Sequence, residues 1–219
     1  VPPIVNGNTQ LIAQASTSEL LKGKMTNTLS YSDGILGPVI KATTGETVSV
    51  QLQNNLSEET NIHWHGRVVP ADMDGHPMDL AQSGGTINYT LPIQQRAGTY
   101  WYHPHIHPNT ARQVSRGLAG VFVIRGELDH MAPFATMPEH FLVLQDFRLD
   151  ASGYLTEPSM MERMQGREGN FVTVSGEVNP TIPIPAGDWV RLRVLNASAS
   201  RYCRLSIEQH TMYSIATAG

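Results

Sequence analysis

Short runs of alternating apolar and polar residues recur along most of the chain. In ETVSVQLQNN, Val48, Val50 and Leu52 alternate with polar residues, and DWVRLRVLN at residues 188–196 repeats the pattern. A period of two is typical of half-buried β-strands. The same pattern predicts strands in six further segments: GGTINYTLP, GTYWYHPH, GVFVIRG, HFLVLQDFRL, FVTVSG and MYSIATA. Turn residues separate these runs at the short spacing seen in sandwiches and barrels, so the predicted fold class is all-β.

Two short helices are predicted as connectors between strands. NTARQVSRGL at residues 109–118 begins with the candidate N-cap Asn109 and has a glycine near its end. EPSMMERMQG at residues 157–166 has a proline near its start and Gly166 at its close. Neither segment is long enough to change the all-β assignment.

A domain division is predicted where proline and turn residues interrupt the strands in GELDHMAPFATMPEH. We assign residues 1–127 to a first domain and residues 128–219 to a linker and a second domain. Because a complete Greek-key sandwich takes about 100 residues, the second domain is expected to be incomplete. Gly219 is accordingly not expected to be a natural domain end.

Composition and charge narrow the function classes. Hydrophobic residues make up 40% of the 219 residues, the mean hydropathy is −0.22, and no apolar run approaches the roughly 20 residues of a membrane helix. The net charge is −4 and the 15 lysines and arginines are scattered, so the basic patch of a nucleic-acid-binding protein is missing. Neither a membrane span nor a nucleic-acid partner is expected.

The cellular compartment is only weakly indicated. The sequence begins at Val1 rather than at an initiator methionine, as expected where a leader has been removed or where a sequence starts inside a longer chain. Removal of a leader would make the protein periplasmic or secreted. Cys203 is the single cysteine, which excludes an internal disulfide framework and leaves the redox environment undecided.

Two histidine pairs, in NIHWHG and GTYWYHPHIHP, carry the candidate chemistry. On a strand, side chains at i and i+2 share a face, so His63 and His65 project together, as do His103 and His105. With metal–nitrogen bonds of about 2 Å, two pairs on neighbouring strands can hold ions about 3.5–4 Å apart, the spacing of multinuclear sites. One such pair is usually not a metal site, but two pairs favour one.

The surroundings of the pairs suit a rigid metal site without naming the metal. Trp64 and Pro104 are expected on the opposite face, and Tyr100, Trp101 and Tyr102 offer an apolar surround. All-imidazole ligation suits copper, zinc, iron or nickel, and the Irving–Williams order favours copper. Zinc stays open, because four ligands around one ion make a closed structural zinc site.

At this point the sequence resembles a known family. NIHWHGRVVPADMDG and GTYWYHPHIHPNTARQVSRGLAGVFVI resemble the first two copper-binding signatures of the multicopper oxidases, which include laccases, ascorbate oxidase and bacterial cuprous oxidases. LGPVIKATTGETVSVQLQNNL resembles the strands before the first signature, and residues 170–219 resemble the family's second cupredoxin-like domain. The resemblance implies Greek-key cupredoxin-like domains, as in the N-terminal portion of a three-domain member.

The resemblance also implies roles for individual residues. His63 corresponds to a ligand of the type 2 copper, His65 and His103 to ligands of one type 3 copper, and His105 to a ligand of the other. In the family, this trinuclear cluster reduces O2 to water with electrons from a distant type 1 copper. Asp74, which precedes a glycine and would otherwise mark only a turn, corresponds to an acidic residue that relays protons.

Other metal-binding residue types are not assigned to the cluster. His107 continues the alternation, but the family pattern gives that position no metal. Cys203 lacks the His-Cys-His surroundings of a type 1 site and is expected to be a buried strand residue. Met160, Met161 and Met164 offer thioethers to Cu(I), although packing is the commoner role of such residues.

The family's remaining signatures are absent from the 219 residues. Half of the cluster's ligands and the type 1 copper are therefore expected in a C-terminal remainder, and the chain alone is expected to be inactive. Expected partners are O2 and a small reducing substrate, either a phenol, an aromatic amine or Cu(I). A non-catalytic copper-binding or structural cupredoxin-like module and a zinc-stabilised β-domain are the alternatives.

Overall fold

The computed structural model describes residues 2–217, and strands dominate this part of the chain. Two short α-helices, α1 (Thr110–Ser115) and α2 (Met160–Gln165), and two 3-10 turns at Ala71–Met73 and Glu127–His130 connect them. The strands in chain order are β1 Ile4–Asn6, β2 Thr9–Leu21, β3 Lys24–Ser30, β4 Val39–Thr43, β5 Thr47–Asn54, β6 His63–His65, β7 Thr86–Pro92, β8 Gly98–His103, β9 Gly120–Arg125, β10 Glu139–Phe147, β11 Phe171–Val174 and β12 Arg191–Asn196. The predicted all-β class is confirmed.

The first nine strands form two sheets that share one core. One sheet has the order β1-β4-β9-β8-β6 and the other β3-β2-β5-β7. Apolar residues from both sheets, such as Leu52 of β5 and Phe122 of β9, belong to the same buried cluster. The two sheets therefore pack as a sandwich, with β6 at the edge of the larger one.

Strand β5 confirms the predicted alternation. Val48, Val50 and Leu52 are buried, whereas Ser49 and Gln51 between them are exposed. Strands β2 and β3 were not predicted, because TQLIAQASTSELL and KMTNTLS place polar residues on both faces of much of their length.

Strand β9 is buried on both faces because a third sheet covers it. Phe122 points into the sandwich core, whereas Val121 and Val123 join a second buried cluster with Phe141 and Val143 of β10. The third sheet has the order β11-β10-β12. This double burial explains why GVFVI in β9 is continuously apolar rather than alternating.

The two predicted helices are present but shorter than expected. Asn109 occupies the N-cap position of α1, yet its side chain makes no capping hydrogen bond. Helix α2 begins with a capping box, in which Ser159 Oγ accepts from Glu162 N at 3.2 Å and Glu162 Oε2 accepts from Ser159 N at 2.8 Å. Local capping thus determines where α2 begins.

Three expectations for the second half of the chain were wrong. MYSIATA forms no strand in its described residues, and residues 197–217 join none of the three sheets. For the same reason Cys203 is exposed and lies outside any strand. Met160, Met161 and Met164 are also exposed rather than packed, and helix α2 buries none of its residues against the described part of the chain. Gly219 lies outside the described residues.

Candidate metal centre

The pairing of β6 with β8 brings the histidines together. His63 lies directly opposite His103, and His65 lies opposite Trp101 in the antiparallel ladder. Residues opposite one another share a face of the sheet. Trp64, between the two β6 histidines, is fully buried in the sandwich core on the other face, as predicted. The two strands therefore present their histidines on the face of the sheet that points away from the core.

Three imidazoles are close enough to bind a common metal centre. Ligand atoms of His63, His65 and His103 all lie within 4.8 Å of one another. His65 Nδ1 is 3.1 Å from His103 Nε2. Two nitrogens that bind one tetrahedral ion through bonds of about 2.0 Å lie about 3.3 Å apart, so the observed separation fits a shared ion.

Neighbouring carbonyl groups determine which ring nitrogens are free. His63 Nδ1 is 3.0 Å from the main-chain oxygen of Asp74, and His103 Nδ1 is 2.7 Å from that of Pro104. A carbonyl oxygen only accepts, so both Nδ1 atoms carry the proton. The Nε2 atoms of His63 and His103 are left as unprotonated, ligand-competent nitrogens.

The contact with His103 also fixes the tautomer of His65. Because His103 Nε2 is unprotonated, it accepts the proton of His65 Nδ1 across their 3.1 Å contact. Coordination of an ion by His65 Nδ1 would require that proton to move to Nε2 of the same ring. Binding of an ion through His65 Nδ1 would thus be coupled to a proton shift within that ring.

Burial favours the neutral, metal-binding form of three of the imidazoles. The pKa of His103 is lowered to about 4, chiefly by burial and also by the neighbouring histidines, against an opposing effect of the hydrogen bond to Pro104. Burial is also the largest cause of the lowered pKa values of His65 and His105. Protons therefore compete less with a metal ion here than at an exposed histidine.

His105 is placed differently from the other three histidines. Strand β8 ends at His103, since Pro104 lacks the N–H that a ladder needs, so the expectation that both members of this pair lie on one strand was wrong. The ring of His105 is 5.1 Å from that of His63 and 6.5 Å from that of His103. This position beside His63 suits a ligand of a different ion.

Asp74 lies against His63 through a tight turn. Its Oδ1, like its main-chain oxygen, is 3.0 Å from His63 Nδ1, but only the main-chain oxygen has hydrogen-bond geometry. Oδ1 is buried and has no hydrogen-bond donor among residues 2–217. Gly75 permits the turn, because at its φ of +63° a Cβ would lie 2.1 Å from the carbonyl oxygen of Ile62.

One expected and one unexpected residue complete the surroundings of the histidines. Of the three aromatic residues expected to surround the pairs, Trp101 lies on the histidine face, with its ring centroid 4.9 Å from that of His65 and 4.1 Å from that of His103. The two tyrosines beside it in β8 are instead buried in the sandwich core, in accord with the period of two along a strand. Asn61 is fully buried, donates a hydrogen bond to the main chain of Gly75 and accepts one from the main chain of His105. No sequence pattern indicated this role.

The remaining expectations concern residues outside the cluster. His107 is exposed, and its ring lies 6.0 Å from that of His105. Among residues 2–217, the group of His63, His65 and His103 is the one set of three or more metal-binding side chains close enough to share an ion. No helix in this part of the chain is long and apolar enough to cross a membrane.

Comparisons with known proteins agree with the geometry of the site. A family model described as multicopper oxidase matches residues 13–129. The multicopper oxidase mco of Staphylococcus aureus is 33% identical over 210 residues, which cover 95% of this chain and 46% of that protein. The cell division protein FtsP of Rahnella sp. is 30% identical over 228 residues, with 98% of this chain and 46% of that protein covered.

A solved structure supports the same assignment. The bacterial laccase-like multicopper oxidase CueO from Ochrobactrum sp. superimposes with a TM-score of 0.82 at 34% identity, covering 90% of this chain and 46% of that one. This match confirms the expected cupredoxin-like fold. The chain spans about half the length of the relatives it matches. Copper and oxidoreductase chemistry define the family, and the chain belongs to the multicopper oxidase family.

Proposed function

We propose that the chain is the N-terminal part of a multicopper oxidase and supplies half of the histidine ligands of a trinuclear copper cluster. The bound copper would supply the four-electron reduction of O2 to water, with electrons taken one at a time from a phenol, an aromatic amine or Cu(I). The observation that carries the proposal is the β6–β8 register, which places His63 opposite His103 and leaves His65 Nδ1 3.1 Å from His103 Nε2.

Each histidine has a proposed position in the cluster. We assign His63 to the type 2 copper, His65 and His103 to one type 3 copper, and His105 to the other. The close contact between His65 and His103 supports a shared ion, and the position of His105 beyond β8 supports a separate one. Trp101 covers two of the rings, which limits the access of water and holds the rings in place.

Asp74 is proposed to relay protons to the oxygen that is reduced. Its side chain is 37% exposed, so the carboxylate reaches solvent, while Oδ1 is buried beside His63 without a donor. An acceptor with one end in water and one at the site can take up a proton and hold it at Oδ1. Oxygen reduction consumes protons, so such a group would supply them where they are needed.

The proposal extends to the parts of the protein around the cluster. Residues 1–127 would form a complete cupredoxin-like domain, and residues 128–219 a linker and part of a second one. The remaining ligands and the type 1 copper would come from a C-terminal remainder, in agreement with relatives about twice as long as this chain. A periplasmic or secreted location is part of the proposal, and fractionation of producing cells would test it.

Copper binding by the full chain tests the proposed site. We expect the wild-type chain to bind Cu(II) with imidazole nitrogens visible in its electron paramagnetic resonance spectrum. His103→Ala should weaken binding at least about 10-fold because it removes a ligand, whereas the control His107→Ala, at an exposed position, should bind like wild type. Intact mass and metal analysis of the purified protein would identify the natural metal.

Two outcomes would replace this proposal. A single tightly bound zinc ion held by the same histidines would indicate a zinc-stabilised β-domain. Copper binding without oxygen consumption by the complete protein, with every reducing substrate class named above, would indicate a non-catalytic copper-binding module.

A further inference from the structure

The fully buried side chain of Asn61 connects three segments around the histidines. Its Nδ2 donates to the main-chain oxygens of Gly75 at 2.9 Å and His76 at 3.1 Å. Its Oδ1 accepts from the main-chain nitrogen of His105 at 2.7 Å. Asn61 itself precedes β6, which begins at His63. One amide group therefore joins the start of β6, the turn after Asp74 and the segment after β8.

None of the three main-chain atoms bonded to Asn61 belongs to a strand. The turn around Gly75 lies between the 3-10 turn and β7, and His105 lies beyond the end of β8. Asn61 bonds all three, and the oxygen of His76 also accepts from Asp79 N at 2.8 Å. Because the side chain of Asn61 is fully buried, its three hydrogen bonds hold these segments in place relative to one another.

The turn that Asn61 holds also orients a proposed ligand. The main-chain oxygen of Asp74, immediately before Gly75, accepts from His63 Nδ1 at 3.0 Å and thereby leaves His63 Nε2 free. On the other side, the bond to His105 N fixes the backbone from which that imidazole projects. Asn61 thus acts on His63 and His105 through the main chain, without a hydrogen bond to either ring.

We propose that Asn61 is a positioning residue for the copper site: it sets the relative placement of His63 and His105, which are assigned to different ions. This inference rests on the proposed copper-binding function. Groups that orient metal ligands change metal affinity by about 10–100-fold when they are removed. We expect an effect of this size although Asn61 is not itself one of the proposed ligands.

Asn54 provides a matched control. It is also fully buried, its Nδ2 donates to the main-chain oxygens of Glu58 and Ala81, both at 2.8 Å, and its Oδ1 accepts from Leu56 N at 2.9 Å. Asn54→Ala therefore deletes the same number and type of hydrogen bonds as Asn61→Ala. None of the partners of Asn54 is a histidine or a neighbour of one, so a purely structural role predicts equal effects of the two variants.

Two measurements on the full chain separate positioning from general destabilisation. The first is Cu(II) affinity by competition with a chelator, and the second is the tautomer of His63 from imidazole nitrogen chemical shifts in the metal-free chain. Asn61→Ala should bind Cu(II) about 10–100-fold more weakly and should lose the single His63 tautomer with the proton on Nδ1. Asn54→Ala should retain both properties. Equal losses in the two variants, or no loss in either, would overturn the inference.

If Asn61→Ala does not fold, a second pair of variants tests the same inference. Asn61→Asp keeps the size and the acceptor for His105 but removes the donors to Gly75 and His76, and Asn54→Asp is its control. The tautomer measurement needs no metal, so it separates the two proposals. A wild-type chain without Cu(II) affinity would overturn the proposed function, whereas an unchanged His63 tautomer and affinity in Asn61→Asp would overturn the role of Asn61 alone.

Discussion

We predict that Asp129→Asn destabilises the chain by about 2–4 kcal/mol at neutral pH. The Asp129 side chain is only 9% exposed, and its Oδ1 accepts from Arg125 at 3.0 Å, from Arg193 at 3.1 Å and from Arg191. Its Oδ2 accepts from Gly126 N at 2.9 Å. The asparagine would keep the shape but remove the negative charge that joins the end of β9 to β12.

The magnitude follows from the pKa of Asp129. Burial raises this pKa, but the hydrogen bonds from Gly126, Arg191 and Arg125 outweigh burial and lower it from 3.8 to about 2. A shift of this size corresponds to ~2 kcal/mol of stability. Removing one partner from a buried ionic group costs about 3–5 kcal/mol, and we expect less because Glu139 still pairs with the same guanidinium groups.

Urea unfolding followed by circular dichroism measures the effect. Because the folded-state pKa is lowered, the stabilisation by Asp129 is present above pH 3.8 and is lost as the pH falls towards 2. The difference between wild type and Asp129→Asn should therefore shrink between pH 4 and pH 2. Asp33→Asn, at an exposed aspartate, should stay within about 0.5 kcal/mol of wild type. An equally small change for Asp129→Asn at pH 7 would refute the reasoning.

Two further predictions concern the candidate site. Gly75→Ala should lower the melting temperature more than Gly7→Ala and should also weaken copper binding. The φ values of Gly75 and Gly7 are nearly equal, at +63° and +64°, but only a Cβ at Gly75 meets a neighbour, at 2.1 Å. Equal losses of melting temperature in calorimetry would contradict this. In the metal-free chain His103 should stay neutral down to about pH 4, since burial lowers its pKa. The folded state should thus lose stability as the pH falls from 6.5 towards 4, and a midpoint near 6.5 in a nuclear magnetic resonance titration would exclude this.

Local patterns predicted those elements that bury one face in the sandwich. The alternation of Val48, Val50 and Leu52 correctly indicated which face of β5 enters the core. The same period placed His63 and His65 on one face, and the structure shows them there. Both inferences succeed because the direction of a side chain along a strand depends only on its neighbours in the chain.

Patterns failed where a segment needed a partner that its own sequence does not specify. MYSIATA alternates but pairs with nothing in the described part of the chain, and Cys203 is exposed for the same reason. Conversely, β2 and β3 form a long pair although their residues are largely polar. Pairing depends on which segments the tertiary structure brings side by side, and alternation within one segment does not specify this.

The sequence by itself determined which candidate ligands the chain offers, four imidazoles in two pairs with a spacing of two residues, and an all-β scaffold to carry them. Tertiary structure decided how these side chains are combined and, through burial, lowered the pKa values of three of them. The register of β6 and β8 paired His63 with His103, and the turn at Gly75 brought Asp74 to His63 Nδ1. These contacts join residues far apart in the chain, so they depend on packing rather than on local periodicity.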